Sequence, residues 1–214
     1  SYIPPMNRQN TYRLTARYSP ATQEISEQAY QLDLRYKINE KLNVLGNYSN
    51  INTLEGTKLF RESLVEVTYK PKSKTQIISG LQFLQYNQEV YETKPEVPIV
   101  KTVTPYIDLL HKFSRKKSLR VEAQYMFTNE DYGSWMFALL EYGLAPNWIF
   151  EVSGMYNTSP KKLLGESKEL KKILYPTAGV VYNKGTNRYQ LRYVKQVEGI
   201  VCSGGICRLE PAFS

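Results

Sequence analysis

The sequence predicts an all-β chain, namely an up-and-down antiparallel transmembrane β-barrel with about 11–12 strands in view, forming part of a larger barrel. Three observations predict it. Apolar and polar residues alternate with period two in nearly every segment, and helical periodicity is almost absent. The connections between these segments are short and long in near-strict alternation. Aromatic residues bracket the apolar face at both ends of many segments.

The segments follow in order. In TYRLTARY (11–18), Tyr12, Leu14, Ala16 and Tyr18 oppose Arg13, Thr15 and Arg17. In YQLDLRYK (30–37), Tyr30, Leu32, Leu34 and Tyr36 oppose Gln31, Asp33, Arg35 and Lys37. LNVLGNYS (42–49) sets Leu42, Val44, Gly46 and Tyr48 against Asn43, Leu45, Asn47 and Ser49. In ESLVEVTYK (62–70), Val65, Val67 and Tyr69 oppose Glu66, Thr68 and Lys70. LRVEAQYMF (119–127), WIFEVSGMY (148–156) and RYQLRYVKQ (188–196) repeat the pattern. Segments 75–86, 99–110 and 134–144 alternate less cleanly. The last is apolar on both faces, as expected of a strand that touches something inside or beside the sheet. A twelfth strand begins near Arg208.

Connections at 37–41, 70–74, 112–118, 143–147 and 183–187 are short. Those at 19–28, 50–60, 87–98, 157–172 and 198–207 are long, and 128–133 is intermediate. Hairpin-linked strands with short turns on one rim and long loops on the other describe a membrane barrel. Tyr36, Tyr69, Tyr142, Trp148, Tyr182 and Tyr189 then form an aromatic girdle near the short-turn rim. Tyr18, Tyr48, Phe127 and Tyr156 form one near the long-loop rim. The opposite face carries Arg13, Arg17, Asp33, Arg35, Glu66, Asp108, Arg120, Glu122, Glu151, Arg188 and Arg192, charges that suit a water-lined lumen better than a dry core. The competing reading is a soluble antiparallel barrel or sandwich with its apolar face inward, since alternation alone does not tell inside from outside. Aromatic strand ends, strands of spanning length and the absence of any Greek-key signal favour the membrane reading.

Composition sets further bounds. The 214 residues make one domain, 1–214, and tyrosine occurs 18 times. No run approaches the roughly 20 apolar residues of a spanning helix. The chain opens without Met or an apolar leader, as expected of a mature or partial chain. The net charge is +8, yet the basic residues sit singly on strands or in short turns, so nucleic acid is not an expected partner.

The opening block IPPMNRQNTYRLTARYSPATQ, AYQLDLRYK after it, and the closing block GTNRYQLRYVKQVEGIVCSGGICR together resemble the carboxy-terminal part of an uncharacterised family of outer-membrane β-barrels from Bacteroidota. The resemblance implies further strands upstream of Ser1 and a terminal strand after Ser214. It also implies an outer-membrane location, and it brings no activity.

No catalytic constellation stands out. His111, the sole histidine, lies at a strand end beside KFSRKKS, with Ser114 and Asp108 near in sequence but expected at different levels. No metal-ligand or phosphate-loop motif is present, and no cofactor is expected. Acids and arginines interleave on neighbouring strands, which predicts a ladder of ion pairs rather than a glycosidase pair. Loop 157–173 carries Leu163, Leu164, Leu170 and Ile173 between lysines, with Ser167 placed to cap a helical turn. Loop 87–98 is expected to be extended and stiffened by its prolines. Cys202 and Cys207 flank Ser-Gly-Gly-Ile on the long-loop side, where a disulfide pinning one hairpin is the expected state.

These readings predict a non-enzymatic, porin-like barrel of a Gram-negative outer membrane, with long loops extracellular and a charged lumen passing small polar solutes. The alternative is an accessory barrel in a larger outer-membrane secretion, uptake or assembly complex. Membrane lipid, lipopolysaccharide and other outer-membrane proteins are the expected partners.

Overall fold

The structure is a computed structural model that describes residues 6–21, 25–161 and 172–195, and the backbone alone of 199–203 and 206–210. Ten strands follow in chain order: β1 (Glu27–Lys37), β2 (Leu42–Thr53), β3 (Lys58–Lys72), β4 (Thr75–Tyr86), β5 (Val100–Lys112), β6 (Lys117–Met126), β7 (Gly133–Leu144), β8 (Trp148–Pro160), β9 (Leu174–Lys184) and β10 (Asn187–Val194). They form one antiparallel sheet in the order β1 to β10, each strand paired with its sequence neighbours. The sheet is open: β1 and β10 are its edges and do not pair with each other. A separate hairpin joins β11 (Gly199–Ser203) to β12 (Ile206–Glu210). One helical turn, α1 (Gln88–Tyr91), interrupts the β4–β5 loop that the prolines predicted to be extended. Asn87 caps it, accepting from the Val90 N–H at 3.2 Å.

The all-β meander matches the expectation, but the sheet does not close into the expected barrel, β11 occupies part of the connection expected at 198–207, and two further segments differ. Residues 11–18 are not a strand. The Tyr12 carbonyl accepts from the Ala16 N–H at 3.0 Å and the Thr15 hydroxyl at 3.0 Å, which curls the backbone into a turn. Its buried residues are Tyr12, Leu14, Thr15 and Tyr18, a spacing that alternation does not produce. The 50–60 connection is also short, because β2 and β3 continue past the expected ends and leave only residues 54–57 between them. A register shift at Ile51/Asn52 bends the sheet there.

Register assigns the two faces. In one row, Leu34, Gly46, Val65, Leu81 and Pro105 share the outer face, as the strand partners Leu34↔Gly46, Gly46↔Val65, Val65↔Leu81 and Leu81↔Pro105 show. Leu34, Val65 and Leu81 on that face are exposed, as are Tyr36, Phe83, Ile107, Val121, Leu140, Val152 and Leu191. From Leu119 to Phe127 this apolar run covers about 26 Å along the strand at ~3.3 Å per residue.

Towards the long-loop rim the polarity inverts. The outer face there carries Asn50, Arg61, Gln85 and Lys101 in one row, with the Arg61 Nε–H donating to Asn50 at 3.1 Å. The inner face carries Ile51, Phe60, Tyr86, Val100, Met126 and Trp135, which pack with Leu14 and Tyr18 as the main buried cluster. Nearer the short turns the inner face mixes Glu66, Asp108, Arg120 and Glu122 with a small apolar cluster of Leu45, Leu64, Ile78 and Tyr106. Gly80 there admits the Tyr106 ring directly across the ladder, where any Cβ would lie 2.3 Å from Tyr106 Cζ.

Candidate functional site

The inner face is occupied by residues 6–21 of the same chain. Its contacts advance strand by strand. Arg8 lies 3.7 Å from Glu66 on β3, and Asn10 donates to Glu62 on β3 at 2.6 Å. The Tyr12 hydroxyl donates to Asp108 on β5 at 3.2 Å, and its ring packs on Tyr106 with centroids 4.3 Å apart. The Leu14 N–H donates to Gln124 on β6 at 2.7 Å, and Gln82 on β4 donates to the Thr15 carbonyl at 3.0 Å. The Tyr18 hydroxyl donates to Asp131 in the β6–β7 loop at 2.8 Å. The Arg17 guanidinium sits over the Trp135 ring of β7 at 4.6 Å. A segment with orphan backbone groups is stable on this face because sheet side chains supply its partners.

The sheet side chains also engage one another. Arg120 grips Asp108 with its Nε and Nη2 and reaches Glu122 at 2.6 Å, while Gln124 donates to the same Glu122. Removing one member of such a part-buried pair strands the others and costs about 3–5 kcal/mol. The Tyr106 hydroxyl donates to Glu66 at 2.6 Å, and Gln82 donates to Glu62 at 2.6 Å. Towards the sheet edges the pairs are more exposed: Asp33 with Arg35 at 2.9 Å, and Glu151 with Arg192 at 3.1 Å. The latter pair spans β9, because Gly179 stands between them in register and has no side chain in the way.

Of the expected ladder between neighbouring strands, one pair is present, Asp108 on β5 with Arg120 on β6; Asp33–Arg35 and Arg120–Glu122 lie within single strands, and Glu151–Arg192 reaches across β9. Glu66 binds Tyr106 and the N-terminal segment, and Arg188 is exposed on the inner face of β10. Arg13 and Arg17 lie in the segment that covers the sheet, and not on a strand as expected. Tyr18 is likewise no girdle residue; it is buried in the inner cluster. The other predicted aromatics occupy the outer face: Tyr36, Tyr69, Tyr142, Trp148, Tyr182 and Tyr189 at the short-turn end, Tyr48, Phe127 and Tyr156 at the other. Trp148 packs on Tyr182 with centroids 4.4 Å apart. His111 meets Thr75 at 2.9 Å and Phe113 edge-on at the short-turn rim, while the Ser114 hydroxyl accepts from the Lys116 and Lys117 N–H groups. These contacts place His111 near the end of β5 and Ser114 in the turn after it, with Asp108 bound to Arg120.

Sequence reasoning missed Asn10, Glu62, Gln82 and Gln124. The signal available was their type: Gln82 and Gln124 are amides on the polar face of their strands, and each has hydrogen-bonding capacity left beyond its carboxylate neighbour, Glu62 or Glu122. The doubly apolar 134–144 segment did point here, since Trp135 and Phe137 pack under the N-terminal segment.

Electrostatics follow from this burial. Desolvation raises the Tyr12 and Tyr18 hydroxyls above the usual tyrosine range, and the neighbouring Asp108 and Asp131 carboxylates add to it. Burial alone would raise Asp131, but Lys94 at 3.4 Å and Arg17 outweigh it and hold the carboxyl below its usual range. Among the described residues no cluster of His, Cys, Asp and Glu is arranged to hold a metal ion.

The profile of the Family of unknown function (DUF6029) matches residues 1–214. The chain belongs to that family. Searches of curated proteins and of solved structures return no match. The membership accounts for the whole chain as one family unit and brings no activity with it. The backbone of β11 and β12 places Cys202 opposite Cys207 in register. Their side chains, and residues Leu163, Leu164, Ser167 and Leu170 of the long loop, lie outside the described residues.

Proposed function

We propose that this chain forms the wall of an outer-membrane β-barrel of a Bacteroidota-type Gram-negative cell, with its long loops extracellular and its inner face filled by its own N-terminal segment. In this reading it is an accessory or scaffold barrel of an outer-membrane assembly, surrounded by lipid and lipopolysaccharide, and not a catalyst. The observation that carries it is the pairing of faces: a continuous exposed apolar face outside, and a charged face inside on which residues 8–18 engage Glu62, Glu66, Asp108 and Gln124. An ordinary soluble sheet buries its apolar face and exposes its charged one. The backbone register of Cys202 and Cys207 supports an extracellular disulfide clip, which predicts no free thiol in the unreduced protein.

One observation favours the porin-like reading. A cavity of about 610 Å³ lies between the N-terminal segment and β1, lined by Met6, Arg8, Gln9, Gln31, Asp33 and Arg35. A passage beside the segment would conduct small polar solutes. Planar-bilayer recording separates the two readings. The filled barrel is silent as the wild type and conducts after Tyr12→Ala with Leu14→Ala. Steady wild-type conductance unchanged by those substitutions would refute the scaffold reading in favour of the porin.

A further inference from the structure

The basic residues that looked scattered in the sequence come together at one rim. The three turns at the β1–β2, β3–β4 and β5–β6 hairpins read KINEK (37–41), KPKSK (70–74) and KFSRKK (112–117). They hold nine Lys and Arg against Glu40 alone, a net +8 that equals the formal net charge of the entire chain. The remaining 19 basic residues are matched by 19 acidic ones.

The turns form one continuous border. The Lys70 N–H donates to the Lys41 carbonyl at 2.7 Å, Lys112 to Lys74 at 2.8 Å, and Ala145 to Lys116 at 2.8 Å. All nine cationic residues are exposed, and none forms an ion pair among the described residues. The border lies just beyond the outer-face ring of Tyr36, Tyr69, Tyr142 and Trp148. Aromatic rings of that kind sit at headgroup depth. Clustered cations immediately past an apolar span attract anionic lipid, each contributing about 1 kcal/mol near the surface.

We propose that the short-turn rim over β1 to β6 is a docking surface for anionic phospholipid headgroups, holding the barrel against the leaflet at that end. The proposal rests on the membrane reading above. An acidic protein is the competing occupant of such a surface. Lipid is favoured because the charge is spread along three consecutive turns at one depth, directly continuous with the apolar outer face.

The protein carries two tryptophans, and they make the test selective. Trp148 is 43% exposed on the outer face, in register with Leu144, whose other partner is Lys117, whereas Trp135 is 2% exposed inside. The full chain is refolded into vesicles in which acyl-brominated phosphatidylglycerol or acyl-brominated phosphatidylcholine quenches Trp148. The expected result is a phosphatidylglycerol preference of roughly fivefold per engaged cation, weakening as NaCl rises. Trp148 reports lipid at the 112–117 turn, which holds four of the nine cations: Lys116→Glu with Lys117→Glu leaves that turn neutral and abolishes the preference, and Lys116→Gln with Lys117→Gln halves its logarithm. Quenching by both lipids with no preference, or a preference these variants leave intact, overturns the docking proposal and leaves the membrane reading standing; an acidic-protein surface gives that result. No quenching of Trp148 by either lipid overturns both.

Discussion

Leu14→Ala isolates the docking of the N-terminal segment from everything else. Leu14 is 1% exposed and packs in the inner cluster beside residues of the sheet. Its link to Gln124 runs through the backbone N–H, so the substitution leaves every hydrogen bond of the segment in place. The loss is then one of packing, about 2–5 kcal/mol for a buried Leu cut to Ala. If the segment releases without the sheet unfolding, its undocked population rises at least ~30-fold, at a decade per 1.4 kcal/mol. Trypsin reports this directly, because Arg13 and Arg17 lie within the segment and cleavage tracks the open population when reclosing is fast. In lipid vesicles, cleavage after these two arginines should accelerate by that factor while the strands stay protected. A change below threefold, or a wild type cut as fast as a free peptide, would refute the picture of a packed internal segment.

Further outcomes follow from single contacts. Asp131 has a positive φ of 50°, which Asn tolerates, so Asp131→Asn removes the charge without reshaping the loop. It should weaken segment docking by about 1.5–3 kcal/mol, read as faster trypsin cleavage at pH 7. Because the folded carboxyl is held below its unfolded range, its contribution is full at neutral pH and is lost as pH falls below about 4. Wild type and Asp131→Asn should therefore converge in cleavage rate in strong acid, measured with an acid protease. Gly80→Ala should cost about 1–3 kcal/mol in urea unfolding from vesicles, since its Cβ would collide with the Tyr106 ring. Tyr106→Ala should relieve the clash, so that Gly80→Ala made in that background carries no further penalty. Val121→Arg places a charge on the exposed apolar face of β6 and should destabilise the bilayer form by about 2–4 kcal/mol.

The meander was legible because period-two alternation and turn spacing are local, and both survive in the register from β1 to β10. The ladder on the inner face was legible for the same reason: Asp108, Arg120 and Glu122 alternate with apolar residues along their own strands. Residues 11–18 misled because alternation reports only that two sides differ. Here the segment curls, so that Thr15 and Arg17 reach the sheet along with Tyr12, Leu14 and Tyr18, and a side-chain hydroxyl and a backbone amide share the Tyr12 carbonyl in place of a neighbouring strand. The ends of β2 and β3 were hidden by the inversion of polarity: Ile51 and Phe60 point inward with Tyr86, Val100, Met126 and Trp135, whereas Val44, Val65 and Val67 of the same two strands point outward. Glu62, Gln82 and Gln124 were invisible as site residues because their partners lie far away in sequence, in a segment that alternation assigns to the sheet itself.

The central claim is that the exposed apolar face meets lipid and that this face ends below the row Asn50, Arg61, Gln85 and Lys101. Nitroxide labels placed one at a time at Leu119, Val121, Ala123, Gln85 and Lys101, in a Cys202→Ser, Cys207→Ser background reconstituted in vesicles, measure this by their collision rates with oxygen and with a water-soluble nickel chelate. The account predicts oxygen-dominated collisions at Leu119, Val121 and Ala123, and nickel-dominated collisions at Gln85 and Lys101. Labels at Val121 and Ala123 that meet nickel as readily as a label at Lys116 would contradict it.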